Sequence, residues 1–172
     1  MLYLFIDPSG SFNEGKGHTG VAWMVENEWD TLETVSFSAK KYETRLEYWR
    51  DVVNHVKKYI YLYGKENIHI IIESFQIRTN GFLLGKMPET IMFIGALVWE
   101  LEHLKVNYTF QTPSQAKSRF KDDMLSRYIP NFEKRSNGRY YFNDKQTNDH
   151  VRDALKHLLY FNKYNKSKFR KD

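Results

Sequence analysis

The chain has 172 residues, a formal net charge of +5 and no cysteine. That length fits one domain with a substantial core, and the missing thiols exclude disulfides and thiolate metal sites. No apolar run approaches the ~18 residues that span a bilayer, and Met1 opens straight into LYLFID with no basic region ahead of it. The expectation is a single domain over residues 1–172 in a reducing cytoplasm, with no membrane partner.

In chain order, LYLFID (2–7) is a short apolar run ending in an acid, as a buried strand does. The turn-rich PSGSFNEGKGHTG follows, and VAWMVENEWD and TLETVSFSAK then read as two further strands of a meander. From Tyr42 to Tyr63 the pattern becomes helical: Leu46, Trp49, Val53, Val56, Ile60 and Tyr63 recur at three- and four-residue steps, and Gly64 ends the helix. NIHIIIESF (67–75) is the strongest strand, since three consecutive isoleucines leave neither face polar. A second helix opens at Pro88-Glu89, with Ile91, Ile94, Leu97, Val98, Leu101 and Leu104 on one stripe. NYTFQT (107–112) is a fifth strand, and PSQAKSRFKDDMLSRY holds one or two short helices. Residues 130–147 read as a loop or arm, 148–161 as an amphipathic helix, and 164–172 as a flexible basic tail. The order β-β-β-α-β-α-β-α-α predicts an α/β domain, a mixed sheet with helices on its faces.

Charge is divided unevenly along this order. Residues 1–110 carry 11 Lys/Arg against 14 Asp/Glu, and residues 111–172 carry 15 against 7. The basic third interleaves aromatics such as Phe120, Tyr128, Tyr140 and Tyr141. Cations that neutralise phosphates beside rings that stack bases make nucleic acid the expected partner, against the plainer reading of a solvated basic surface.

Sites in α/β sheets gather at the carboxyl ends of neighbouring strands. Asp7 ends the first strand and Glu73 follows the isoleucines of the strongest one, so parallel, adjacent strands would place both at one edge. In NDHVRDALKHLLYF (148–161) the apolar face of Val151, Ala154, Leu155 and Leu158 would bring Asp153 alongside, with His150 three residues away on the same face. Carboxylates this close repel unless a cation intervenes, and oxygen and imidazole donors suit Mg²⁺ or Mn²⁺. Plainer roles exist for each: Asp7 as a turn residue before Pro8, Asn148 or Asp149 as a helix cap, and His157 as a structural histidine.

FIDPSG, IIIES, TPSQAK and HVRDAL, in this order over residues 2–160, resemble the RuvC-like nucleases of the ribonuclease H superfamily, which include the Holliday junction resolvases of bacteria and phages. The resemblance implies a ribonuclease H-like fold with a five-stranded mixed sheet, a homodimer, and a metal-dependent endonuclease resolving branched DNA by two-metal phosphodiester hydrolysis. Carried over by motif, Asp7, Glu73, His150 and Asp153 would bind two Mg²⁺ (or Mn²⁺) ions, with Asp149 an alternative to His150. Lys117 would stand near the scissile phosphate, or otherwise be a solvent-facing helix lysine. Arg119, Lys121, Arg127, Lys134, Arg135 and Arg139 are candidates for contacts to the DNA backbone. The long Asp7–Gly20 loop, residues 130–147 and the tail depart from the family pattern. A less structure-selective phage nuclease, serving packaging or repair, and a non-catalytic nucleic-acid-binding module are the alternatives. The Lys-, Asn- and Tyr-rich composition suits a phage of an AT-rich host.

Overall fold

A computed structural model of the chain describes residues 1–9, 11–12, 15–75 and 87–165. Its centre is a five-stranded sheet built from β1 (Leu2–Asp7), β2 (His18–Val25), β3 (Glu28–Ser38), β4 (Ile68–Glu73) and β5 (Tyr108–Gln111), in the order β3-β2-β1-β4-β5. The β1–β2 and β2–β3 pairs are antiparallel, and β1–β4 and β4–β5 are parallel. This is the expected mixed sheet flanked by helices. The hairpin turn falls inside VENEWD, at Glu26-Asn27, where Asn27 adopts a positive φ of 66°. The second and third strands are thus displaced from the segments that composition suggested.

Helix α1 (Arg45–Tyr63) begins at a capping box in which Thr44 and Glu47 satisfy each other's backbone N–H groups. It and α2 (Met87–Leu104) cover one sheet face. There Leu2, Leu4, Ile6, Ile68, Ile70 and Ile72 pack on Tyr48, Trp49, Val52, Val56, Phe93 and Leu97. The buried stripes are rotated from those expected: Leu46 and Ile91 are exposed, and Tyr48 and Phe93 take the inner positions. Spacing alone cannot choose between neighbouring stripes when aromatics lie on both.

The opposite face carries Tyr3, Phe5 and Ile71 against α4 (Asp149–Tyr160), together with Phe120, Leu125, Phe132 and Phe142. Between β5 and α4 lie α3 (Pro113–Lys117), a 3₁₀ turn (Asp122–Arg127) and a second sheet of β6 (Phe132–Lys134), β7 (Tyr140–Phe142) and β8 (Lys145–Gln146). Residues 130–147 are therefore an ordered three-stranded sheet, which corrects the expectation of a loop or arm. Asn143 and Asp144 both adopt positive φ, as a tight two-residue hairpin turn requires. Phe132 and Phe142 anchor the sheet in the core. The tail expected at 164–172 lies mostly outside the described residues. Among the described residues no helix is long and apolar enough to cross a membrane.

Candidate active site

Strand register brings the first two acids together. Ile6 pairs with Ile72 in the parallel β1–β4 ladder, and Asp7 and Glu73 are the next residue on each strand. Side chains alternate across a strand, and Phe5 and Ile71 face α4, so Asp7 and Glu73 point to that side too. Across the sheet Asp7 pairs with Gly20 and Glu73 with Gln111.

Gly20 sets how closely the helix can approach. A Cβ there would lie 2.2 Å from the His150 carbonyl oxygen and 2.7 Å from the Val151 nitrogen. With no side chain in the way, the first turn of α4 rests against β2, and His150 Nδ1 comes within 2.9 Å of Asp7 Oδ2. Asn148 caps the helix by accepting from the Val151 N–H at 2.9 Å. Asp149 turns outward, is 86% exposed and pairs with Arg152. Of the two candidates for the fourth corner, His150 is the one that meets Asp7.

Lys117, at the end of α3, places one ammonium between the other two acids, 3.0 Å from Glu73 Oε1 and 2.8 Å from Asp153 Oδ2. The Lys117 side chain, 35% exposed, is engaged with both acids rather than free in solvent. Thr112 starts α3 with Pro113 in its first turn and a reciprocal cap to Gln115, fixing the direction of the short helix. Asp153 is held a second time by Lys156 Nζ at 2.9 Å, and Lys156 also binds Asp122 at 2.5 Å. The side chain of Lys156 is only 11% exposed. Its buried ammonium is stabilised by two carboxylates, as a charge in that setting requires.

His157, read from sequence as structural, is fully buried against this site. Its ring stacks on Phe5 at 4.4 Å, its Nδ1 lies 2.9 Å from Gln111 Oε1, and its Nε2 approaches Glu73 Oε2 at 3.0 Å. As oriented, that approach is short but not a well-directed hydrogen bond, and the Gln111 amide nitrogen has no partner. Turning the Gln111 amide over would let it donate to Nδ1 and leave Nε2–H to donate to Glu73. His157, Lys156, Gln111 and Asp122 are the residues that sequence reasoning missed. Their signals were weak: His157 continues the His150/Asp153 stripe, and Lys156 follows Arg152 and Asp153 at helical spacing, as a solvated charge would.

The acids differ in electrostatic state. Burial raises the Asp7 carboxyl above its ordinary value, the neighbouring charge of Glu73 adds to the rise, and the His150 contact opposes it. Burial acts on Glu73 and Asp153 in the same sense. There it is outweighed, by His157 and Lys117 at Glu73 and by Lys117 and Lys156 at Asp153, and both carboxyls are lowered. Burial would lower His150 and Lys117, but the acids around them raise both. Among the described residues no three His, Asp or Glu side chains converge on one point as metal ligands do. Glu73 and Asp153 converge on the Lys117 ammonium instead. The donor set nevertheless fits a hard divalent ion: carboxylate oxygens and one imidazole, with the Asp7 carboxyl buried beside the charge of Glu73.

The other basic candidates are distributed over the insert between β5 and α4. Lys134 pairs with Asp123 at 3.0 Å, and Arg135 pairs with Glu133 and Asp144, so both are engaged within the protein. Arg119, Lys121, Arg127 and Arg139 are exposed. The structure does not gather these residues into the acid cluster.

Two solved structures share this architecture over almost their full length. One is T. thermophilus RuvC in complex with Holliday junction substrate, with a TM-score of 0.64 and 18% identity, covering 99% of this chain and 98% of that one. The other is a Thermus thermophilus RuvC structure, with a TM-score of 0.61 and 16% identity, covering 98% and 97%. The fold is RuvC-like. No family model and no curated protein sequence matches the chain. On the RuvC-like framework Asp7, Glu73 and α4 occupy the carboxyl edge of the central strands, where α/β folds assemble their sites.

Proposed function

We propose that the chain is a divalent-metal-dependent endonuclease that cleaves branched DNA, with Holliday junctions as its substrate. The observation that carries this reading is the approach of three distant stretches of chain at one edge of a RuvC-like sheet, where Asp7 pairs with His150 and Glu73 and Asp153 share the Lys117 ammonium. Further support comes from the basic C-terminal third and from the junction bound to the T. thermophilus neighbour.

Asp7, Glu73, His150 and Asp153 would hold two Mg²⁺ or Mn²⁺ ions. Bound there, the ions supply an activated water for in-line attack on phosphorus and charge stabilisation for the departing 3′ oxygen, which leaves a 5′ phosphate. The remaining work belongs to the protein. Burial keeps bulk water from Asp7, and its contact with His150 fixes the orientation of both side chains. Lys117, held at the same edge, neutralises charge developing on the phosphate. Lys156 and His157 hold the Asp153 and Glu73 carboxylates in place from behind, as supporting residues commonly do at metal sites. Two copies acting together would give the paired cuts that resolve a four-way junction.

The test is cleavage of four-way junction, flap, duplex and RNA–DNA hybrid substrates with Mg²⁺, by wild type and Asp7→Asn. The expected result is preferential junction cleavage, lost by more than ~100-fold in the variant, with junction binding retained. Equal cleavage of all four would make the protein a general nuclease. Junction binding without cleavage by wild type would make it a binding module.

A further inference from the structure

Two recesses flank the candidate site. One, of about 140 Å³, is lined by Asp7 and Glu73 together with Pro113 and Ile94. The other, of about 440 Å³, lies on the His150 side, between the first turn of α4 and the β7–β8 edge of the second sheet. His18, Arg139, Gln146 and Thr147 line it with His150, and the His18 and His150 rings lie nearly parallel, 6.1 Å apart. Its size falls within the ~300–1,000 Å³ range of small-ligand clefts.

The two guanidinium groups of this recess differ in what they are free to do. Arg152 is 12% exposed and committed: its Nε donates to Asp122 Oδ2 at 2.7 Å, its Nη1 to the Thr147 carbonyl at 3.1 Å, and its Nη2 pairs with Asp149. That last contact also neutralises the acid at the rim. Arg139 is exposed, and its Nη1 donates to the neutral Gln146 amide oxygen at 3.2 Å. It has no carboxylate partner among the described residues, unlike Lys134 and Arg135 on the same sheet. An uncommitted guanidinium one recess away from a phosphodiester-cleaving site is suited to a phosphate, which it can bind through two parallel N–H donors.

We infer that this recess receives the nucleotide adjoining the scissile phosphate, with Arg139 binding that nucleotide's outer phosphate. The small sheet of residues 132–146 is then one wall of the substrate groove. The inference rests on the endonuclease reading and deepens it by assigning a strand-binding subsite to the insert.

The experiment uses the full chain. Wild type first maps the cleaved bond of a four-way junction in Mg²⁺. Dissociation constants are then measured at fixed salt for Asp7→Asn and for Asp7→Asn with Arg139→Gln, on junctions carrying one neutral methylphosphonate at each of three phosphates on either side of that bond. Arg139→Gln and the methylphosphonate immediately flanking the bond should each weaken binding about tenfold, and together no more than either alone. Arg139→Lys should recover part of the loss. Unchanged binding by Arg139→Gln, additive losses, or coupling to a phosphate three positions away would overturn the subsite while leaving the nuclease intact. Failure of wild type to cleave any branched DNA would overturn the endonuclease reading and the subsite with it.

Discussion

The Lys117 ammonium bridges Glu73 and Asp153, so a divalent ion held by those acids would compete with it for the same oxygens. Lys117→Met should therefore bind Mn²⁺ about tenfold more tightly by calorimetry, because a repelling charge is removed, while cleaving junctions far more slowly. Weaker Mn²⁺ binding would mean that the lysine organises the acids rather than competing for them. His150 gives a pH signature in metal-free protein. Its folded pKa is raised above 6.5, chiefly by the Asp7 contact working against burial. The stability from that contact is thus fully present below pH 6.5 and lost as pH rises through the folded value. Below pH 6.5 the lowered His18, His55 and His69 act in the opposite sense, so the signature lies above it: urea midpoints between pH 6.5 and 9 should fall more steeply with pH in wild type than in His150→Gln. That Asp7, Glu73, His150 and Asp153 lie at one edge of the sheet was legible because a strand-ending acid and a helix stripe each have a simple geometric rule, and the motif resemblance drew the four together. His157 and Lys156 could not, because their roles depend on which buried acid lies opposite, and that is decided by tertiary packing.

The elements that position these side chains depend on a few local choices. Gly20→Ala would drive a Cβ into the backbone of His150 and Val151, where no flexible side chain can yield. The variant should lose about 1–3 kcal/mol in chemical denaturation, and cleavage should fall further than that loss accounts for, because His150 is moved off Asp7. A variant with wild-type cleavage would show that the close approach of α4 to β2 is dispensable. Asn148→Ala removes a cap and should cost about 1 kcal/mol, with a smaller effect on cleavage. The strands β1 and β4, the two long helices and α4 were legible from periodicity and cap residues. The second sheet was not: its strands are two or three residues long, too short for a period to register, and its polar residues resemble a loop. The Asn143-Asp144 pair was the available signal, a two-residue turn between YYF and KQ.

For the molecule as a whole, α1 and α2 leave an apolar face uncovered. Leu46, Trp49, Val53, Ala96 and Trp99 line a groove of about 580 Å³ there, and Trp99 is 65% exposed. If two copies pair through this face, Trp99→Glu should reduce the solution mass from dimer to monomer by light scattering without altering the circular dichroism spectrum. An unchanged mass would remove the face from the assembly. Trp49, Val56, Ile60, Leu97 and Leu101 of the expected stripes are buried, whereas Leu46 and Ile91 are exposed, because an apolar residue at the margin of a stripe reads in sequence like one at its centre. The central claim is that Asp7, Glu73, His150 and Asp153 share divalent ions, and anomalous diffraction from crystals grown in Mn²⁺ tests it most directly. The expected map has peaks bounded by these four side chains, with the Lys117 ammonium displaced from Glu73 and Asp153. A map at saturating Mn²⁺ with Lys117 still bridging the two acids and no peak beside Asp7 would contradict the claim.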